Sequence, residues 1–118
     1  MNYLQTLEYL YAQLPMYHRV GFQAYKPNLD NTIALCEFLD NPHQSFRSIH
    51  ITGTNGKGSV SHMVASILQT AGIRTGLYTS PHLKDFRERI RVNGKMIHKS
   101  YVTSFVRKYR KQFQSLLV

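Results

Sequence analysis

Gly53-Thr54-Asn55-Gly56-Lys57-Gly58-Ser59 places three glycines, a lysine and a serine within one short run. A β-type segment precedes it and a helical pattern follows. Such a junction suits phosphate. At the amino end of a helix the free N–H groups and the helix dipole favour an anion. Glycines let the backbone come close to phosphate oxygens and adopt dihedrals closed to other residues. Lys57 is placed to reach terminal phosphates as a point charge, and a nearby hydroxyl can hold phosphate or Mg²⁺. The usual phosphate-loop pattern is G-x-x-x-x-G-K-[ST]. This run departs from it twice. Gly53 stands three positions before Gly56 rather than five, and Gly58 occupies the place of the Ser or Thr, with Ser59 one later. An ordinary glycine turn therefore stays open on spacing alone.

Several elements must position this loop. Residues 2–14 carry Tyr3, Leu4, Leu7, Leu10, Tyr11 and Leu14 at helical spacing, and Pro15 stops that helix. Residues 15–28 read as an irregular, aromatic loop with Gly21 and Pro27, and Leu29 to Leu39 as a second helix. Arg47 to Thr52 reads as a strand. From Ser59 to about Ala71, the residues Val60, Met63, Val64, Ile67, Leu68 and Ala71 form one apolar stripe, with Gly72 as a natural stop. Thr75 to Thr79 reads as the next strand. Strand, loop, helix and strand make one βαβ unit, which predicts a right-handed crossover in a parallel sheet. Residues 80–89 form a loop. Ile90 to Ile97 reads as a hairpin around Asn93-Gly94, and Ser100 is placed to cap a last helix with Val102, Phe105, Val106, Tyr109, Phe113, Leu116 and Leu117 along its stripe.

The fold class is α/β: a partial, phosphate-loop-type parallel sheet with N-terminal helices and a C-terminal helix. Residues 1–46 form the N-terminal helices and a substrate-side loop, and residues 47–118 begin a nucleotide-binding domain. Two parallel strands are too few for a sheet normally covered on both faces, so the chain reads as a truncated piece of something larger.

Composition narrows the class further. The 118 residues are 42% hydrophobic, which suits a globular domain. One cysteine, Cys36, excludes an internal disulfide and fits a reducing compartment. No apolar run approaches the roughly 20 residues that cross a bilayer, and Met1 to Leu10 lacks the pattern of a secretory leader. The net charge is +9, and ten of the 15 Lys and Arg fall between Lys84 and Lys111, against only Asp85 and Glu88. That bias admits nucleic acid, lipid or acidic small molecules as partners. It also admits a solvated helix face at Arg107 to Lys111. His18, His43, His62 and His98 show no metal-ligand spacing, and His50 reads as a packed strand residue.

The run from Ile49 to Ser59, followed by Ile67-Leu68 and Gly72, resembles the N-terminal signature of the folylpolyglutamate synthase and dihydrofolate synthase family, within the Mur-ligase superfamily. "LYTSPHLKDFRERIRVNG" resembles that family's second landmark, a T/S-S-P-H-L block followed by E-R-I/V and an N-G turn. The resemblance covers nearly all of the chain but only the first part of a longer enzyme. It implies a truncated Mur-ligase ATPase domain, a cytoplasmic location, and ATP and Mg²⁺ as cofactors. The implied reaction adds L-glutamate to dihydropteroate or to a reduced folate through an ATP-derived acyl phosphate. By motif, Gly53, Thr54, Asn55, Gly56 and Lys57 would line the ATP phosphates, with Gly58 and Ser59 at the helix entry. Ser80 matches the family's Mg²⁺-binding serine. The 80–89 loop matches a segment near the pterin, where His82, Phe86 and Arg89 are the candidates. Tyr25, Lys26 and Pro27 fall where relatives line the pteroate pocket. For Phe86, packing beneath the loop stays open, and for Arg89, pairing with Asp85.

The resemblance also implies that the catalytic set is incomplete here. Further metal ligands and a glutamate-holding domain lie later in such enzymes, so these 118 residues alone are expected to be inactive. Two other classes remain. A different phosphate-loop phosphotransferase would leave the T-S-P-H-L and E-R-I blocks unexplained. A basic nucleic-acid-binding module would bind with steep salt dependence, but no recognised motif supports it. Neither membrane nor nucleic acid is an expected partner.

Overall fold

Asn2 and Gln5 open the first helix by capping each other. The Gln5 N–H donates to Asn2 Oδ1 at 2.8 Å, and the Asn2 N–H donates to Gln5 Oε1 at 2.9 Å. N–H groups that a helix start leaves orphaned are thereby satisfied. The computed structural model describes residues 1–13 and 29–117. Its helices are α1 Tyr3–Gln13, α2 Asp30–Phe38, α3 Lys57–Thr70 and α4 Lys99–Leu117. Its strands are β1 Gly76–Tyr78, β2 Ile90–Val92 and β3 Lys95–Met96, and short 3₁₀ turns run over Pro42–Gln44 and Phe86–Arg89. The expected stop at Pro15 and the loop of residues 15–28 lie outside the described residues. The chain divides into two units, Met1–Ser48 with Thr103–Val118, and Ile49–Val102.

In the first unit Thr6 and Val106 are buried. The Thr6 hydroxyl donates to the Asn2 carbonyl at 2.8 Å, which satisfies a polar group that burial would otherwise penalise. Phe38 meets Tyr109 edge to face at 5.8 Å, and Tyr109 leans on Phe105 at 4.9 Å. Such aromatic pairs add about 0.5–1.5 kcal/mol beyond their buried area. The basic run of α4 is partly engaged rather than wholly solvated. Arg110 lies over the Tyr9 ring at 4.9 Å, and Arg107 Nη2 donates to the Met1 carbonyl at 3.4 Å.

In the second unit the sheet order is β1-β2-β3 and every pairing is antiparallel. Asn93 at φ 50 and Gly94 at φ 83 supply the two positive angles that a tight I′ hairpin turn needs. Asn93 also reaches back. Its Oδ1 accepts the Thr75 N–H at 2.9 Å, and its own N–H donates to the Thr75 carbonyl at 2.8 Å. Helix α3 ends as its sequence predicts. The Ile73 N–H bonds the Leu68 carbonyl and the Gly72 N–H the Gln69 carbonyl, with Gly72 at φ 84, which is a Schellman cap.

Three expectations are corrected here. No parallel βαβ unit forms among the described residues. Residues 47–52 are not a strand, and β1 pairs antiparallel with β2. The segment between Tyr78 and Ile90 folds back on itself, closed by the Thr79 N–H donating to the Arg89 carbonyl, whereas a parallel partner needs a crossover, usually a helix, and a neighbouring ladder to join. The α3 stripe is not a closed core either. Ala65 is buried, but Val60, Met63 and Ile67 are exposed, as is Ile49, because no strand covers that side among the described residues. Finally, Ser100 does not cap α4. The helix starts at Lys99, and the Tyr101 N–H already bonds the His98 carbonyl, which leaves Ser100 inside the first turn.

Candidate functional site

Gly56 makes the turn from the glycine run into α3. It is the N-cap residue, at φ 76, and no side chain caps the helix start. The N–H groups of the first turn are therefore open to an external anion. Gly53, at φ 155, also takes an angle that favours glycine. Gly58 is different. It lies inside the first turn with helical geometry, and a Cβ built there would meet nothing within 4 Å among the described residues. Packing among the described residues does not require glycine at 58, although glycine costs a helix about 0.5–1 kcal/mol relative to alanine. A close-approaching ligand would require it.

Thr54, Asn55, Lys57 and Ser59 are exposed, and no hydrogen bond or ion pair engages their side chains among the described residues. Ser61, unremarked in the sequence, donates its hydroxyl to the Lys57 carbonyl one turn back. Ser80 follows β1 on the way into the 80–89 loop; it is exposed, and nothing bonds it to the 53–59 run among the described residues.

The 80–89 loop gathers its candidates tightly. Arg89 Nε donates to His82 Nδ1 at 2.7 Å. The His82 and Phe86 rings stand 6.2 Å apart, edge to face, and the Arg89 guanidinium lies 5.8 Å from the Phe86 centroid. Arg89 thus takes His82 rather than Asp85, the alternative partner. Asp85 instead pairs with Arg87, whose Nη2 is 3.0 Å from Oδ2. Arg87 Nη1 also donates to the Ile97 carbonyl at 3.2 Å. Phe86 is half-buried, one wall of this cluster. Tyr25, Lys26 and Pro27 lie outside the described residues.

Sequence reasoning missed Glu88. Its Oε1 accepts the Leu83 N–H at 3.0 Å, and its Oε2 accepts those of Lys84 at 3.0 Å and Asp85 at 2.8 Å. The Leu83 N–H first, then those of Asp85 and Lys84, hold its carboxyl below the usual glutamate range, with a smaller contribution from His82 and against some desolvation. A signal was present. Asp85-x-x-Glu88 has capping-box spacing, and the structure forms that box at the Phe86–Arg89 turn.

The charge of this unit is lopsided. Between Ile49 and Val102 stand eight Lys and Arg against Asp85 and Glu88. Asp85 is paired to Arg87, and Glu88 is spent on backbone N–H groups. Arg91 Nε is buried without a hydrogen-bond partner among the described residues. The field of the unit favours a polyanion.

No family model matches the chain. Curated and solved proteins do. The dihydrofolate synthase/folylpolyglutamate synthase of Bacillus subtilis is 38% identical over 91 residues, 77% of this chain and 21% of that protein. The folylpolyglutamate synthetase structure from Lactobacillus casei superposes with a TM-score of 0.81 at 34% identity, over 98% of this chain and 28% of that one. A solved FPGS–AMPPCP–folate complex gives a TM-score of 0.79 at 34% identity, over 98% of this chain and 27% of that one. The chain spans between 10% and 21% of the length of curated relatives it matches.

Proposed function

We propose that this chain, which belongs to the folylpolyglutamate synthase and dihydrofolate synthase family, carries the ATP-phosphate loop and part of the folate-facing wall of a glutamate ligase. The observation that carries this reading is the state of the 53–59 loop. Gly56 turns it into an uncapped helix start, Gly58 leaves open space, and Lys57 is unengaged among the described residues. A nucleotide analogue and folate in a solved relative support the same ligands here.

The reaction joins L-glutamate to dihydropteroate or to a reduced folate. A carboxylate oxygen of the pteroate or folate attacks the γ-phosphorus of ATP, and ADP leaves. The glutamate amine then attacks the acyl carbon, phosphate departs and the nitrogen loses a proton. The protein's task is positioning and charge neutralisation. Backbone N–H groups around Thr54 to Ser59 and the Lys57 ammonium would hold the phosphates. His82, Phe86 and Arg89 would face the pterin, a flat ring that an aromatic edge and a guanidinium can flank.

Magnesium fits this arrangement. No group of three or more His, Cys, Asp or Glu suited to a metal occurs among the described residues. Mg²⁺ needs none, since it commonly takes one or two protein oxygens with phosphate oxygens and water. The exposed Ser80 hydroxyl, unbonded among the described residues, can be that oxygen. When bound, the ion supplies charge neutralisation at the transferred phosphate.

Residues 1–46, with Tyr25, Lys26 and Pro27, would form the substrate side, and residues 47–118 the start of a cytoplasmic enzyme's ATP-binding domain. The exposed Val60, Met63 and Ile67 on α3 suit a larger sheet than the three strands described. These 118 residues alone should show no ligase activity. The test is ADP release by the complete gene product, with dihydropteroate or tetrahydrofolate as acceptor. Release that needs both acceptor and glutamate is the expected result, and release with neither acceptor overturns the reading.

A further inference from the structure

We infer that Glu88 is the positioning residue of the 80–89 loop, its single carboxylate gathering three consecutive backbone N–H groups and so setting where His82, Phe86 and Arg89 stand. The inference rests on the reading of this loop as the folate-facing wall.

The loop needs such a device. Its base is closed by the Thr79 N–H donating to the Arg89 carbonyl at 3.0 Å. Between those ends, residues 80–85 form neither helix nor strand, so their N–H groups have no ladder to join. Glu88 substitutes for the ladder at Leu83, Lys84 and Asp85. Asp85 and Glu88 cap the Phe86–Arg89 turn reciprocally, and Arg87 moors that turn to the Ile97 carbonyl. One side chain thus links the segment holding His82 to the turn presenting Phe86 and Arg89. A neutral amide cannot replace it. Glutamine has one acceptor oxygen, and its NH₂ would face N–H donors.

The test compares Glu88→Gln and Glu88→Asp with the wild-type complete enzyme. A lost charge-assisted hydrogen bond corresponds to about tenfold in an equilibrium, so Glu88→Gln should raise the KM for the folate acceptor about tenfold. The KM for ATP should stay within about twofold, because the 53–59 loop makes no bond to Glu88, and Glu88→Asp should recover part of the loss. A fall in kcat alone, with both KM values unchanged, would mean a stability role and overturn the inference. A second readout does not need turnover. In Glu88→Gln, amide exchange at Leu83, Lys84 and Asp85 should quicken about tenfold and the His82 ring resonances should move. Unchanged His82 resonances overturn the inference whatever the activity, whereas a wild-type enzyme without acceptor-dependent ADP release overturns only the proposed function.

Discussion

Arg89 Nε and His82 Nδ1 are 2.7 Å apart, with the guanidinium donating and the imidazole accepting. An Nδ1 that accepts places the neutral ring's proton on Nε2.

Arg89→Ala should release that tautomer. Nitrogen-detected NMR should find a single Nε2–H form in the wild type and a mixture in the variant. The acceptor KM should rise about tenfold, the cost of one charge-assisted hydrogen bond. A single unchanged tautomer would show that Arg89 does not orient the ring.

Lys57→Ala should separate binding from stability. The Lys57 side chain is exposed and unengaged among the described residues, so the melting temperature should not move measurably. On the proposed function, losing this cation should cut kcat/KM for ATP by about a hundredfold or more, the scale of removing one preorganised electrostatic contact. Steady-state kinetics with varied ATP, beside calorimetry, checks both halves.

Gly58→Ala should produce opposite signs. An added Cβ meets no atom of the described residues within 4 Å, and alanine favours a helix by about 0.5–1 kcal/mol over glycine. Thermal stability should therefore rise slightly while ATP binding weakens. By contrast, Gly56→Ala at φ 76 should lose both. Denaturant melts and nucleotide titrations of the two variants distinguish a ligand-driven glycine from a backbone-driven one.

The Glu88 clamp should fail in acid. Hydrogen bonds to the folded-state carboxylate, from the Leu83 N–H first, lower its pKa. Its contribution is thus complete above the unfolded value, about 4.3 for an ordinary glutamate, and is lost as pH falls through the lower folded value. Amide exchange at Leu83, Lys84 and Asp85, corrected for intrinsic rates, should lose protection over that window. Glu88→Gln should show no such pH dependence.

Legibility in the sequence followed range. The I′ turn at Asn93-Gly94, the stop at Gly72 and the entry of the 53–59 run into α3 each depend on a few adjacent residues. Their backbone chemistry is the same wherever the chain goes, so they appear where the residue types place them. The family landmarks were legible for the same reason, as contiguous blocks.

Pairing was not legible. That β1 joins β2 antiparallel, leaving residues 47–52 without a strand, depends on which ladder is within reach, and a strand's residue types serve either direction. The stripe Val60, Met63, Ile67 announced an apolar helix face but not whether anything covers it. Arg89 could equally have taken Asp85, and only the path of the loop brought His82 to its Nε while giving Asp85 to Arg87. The sequence by itself determined the entry of the glycine run into α3, the Asn93-Gly94 turn and the Gly72 stop, because these are local dihedral and capping choices. Only the tertiary structure decided the sheet's direction, the partner of Arg89 and the three bonds of Glu88, because a hydrogen bond between distant groups forms only where the folded backbone brings donor to acceptor.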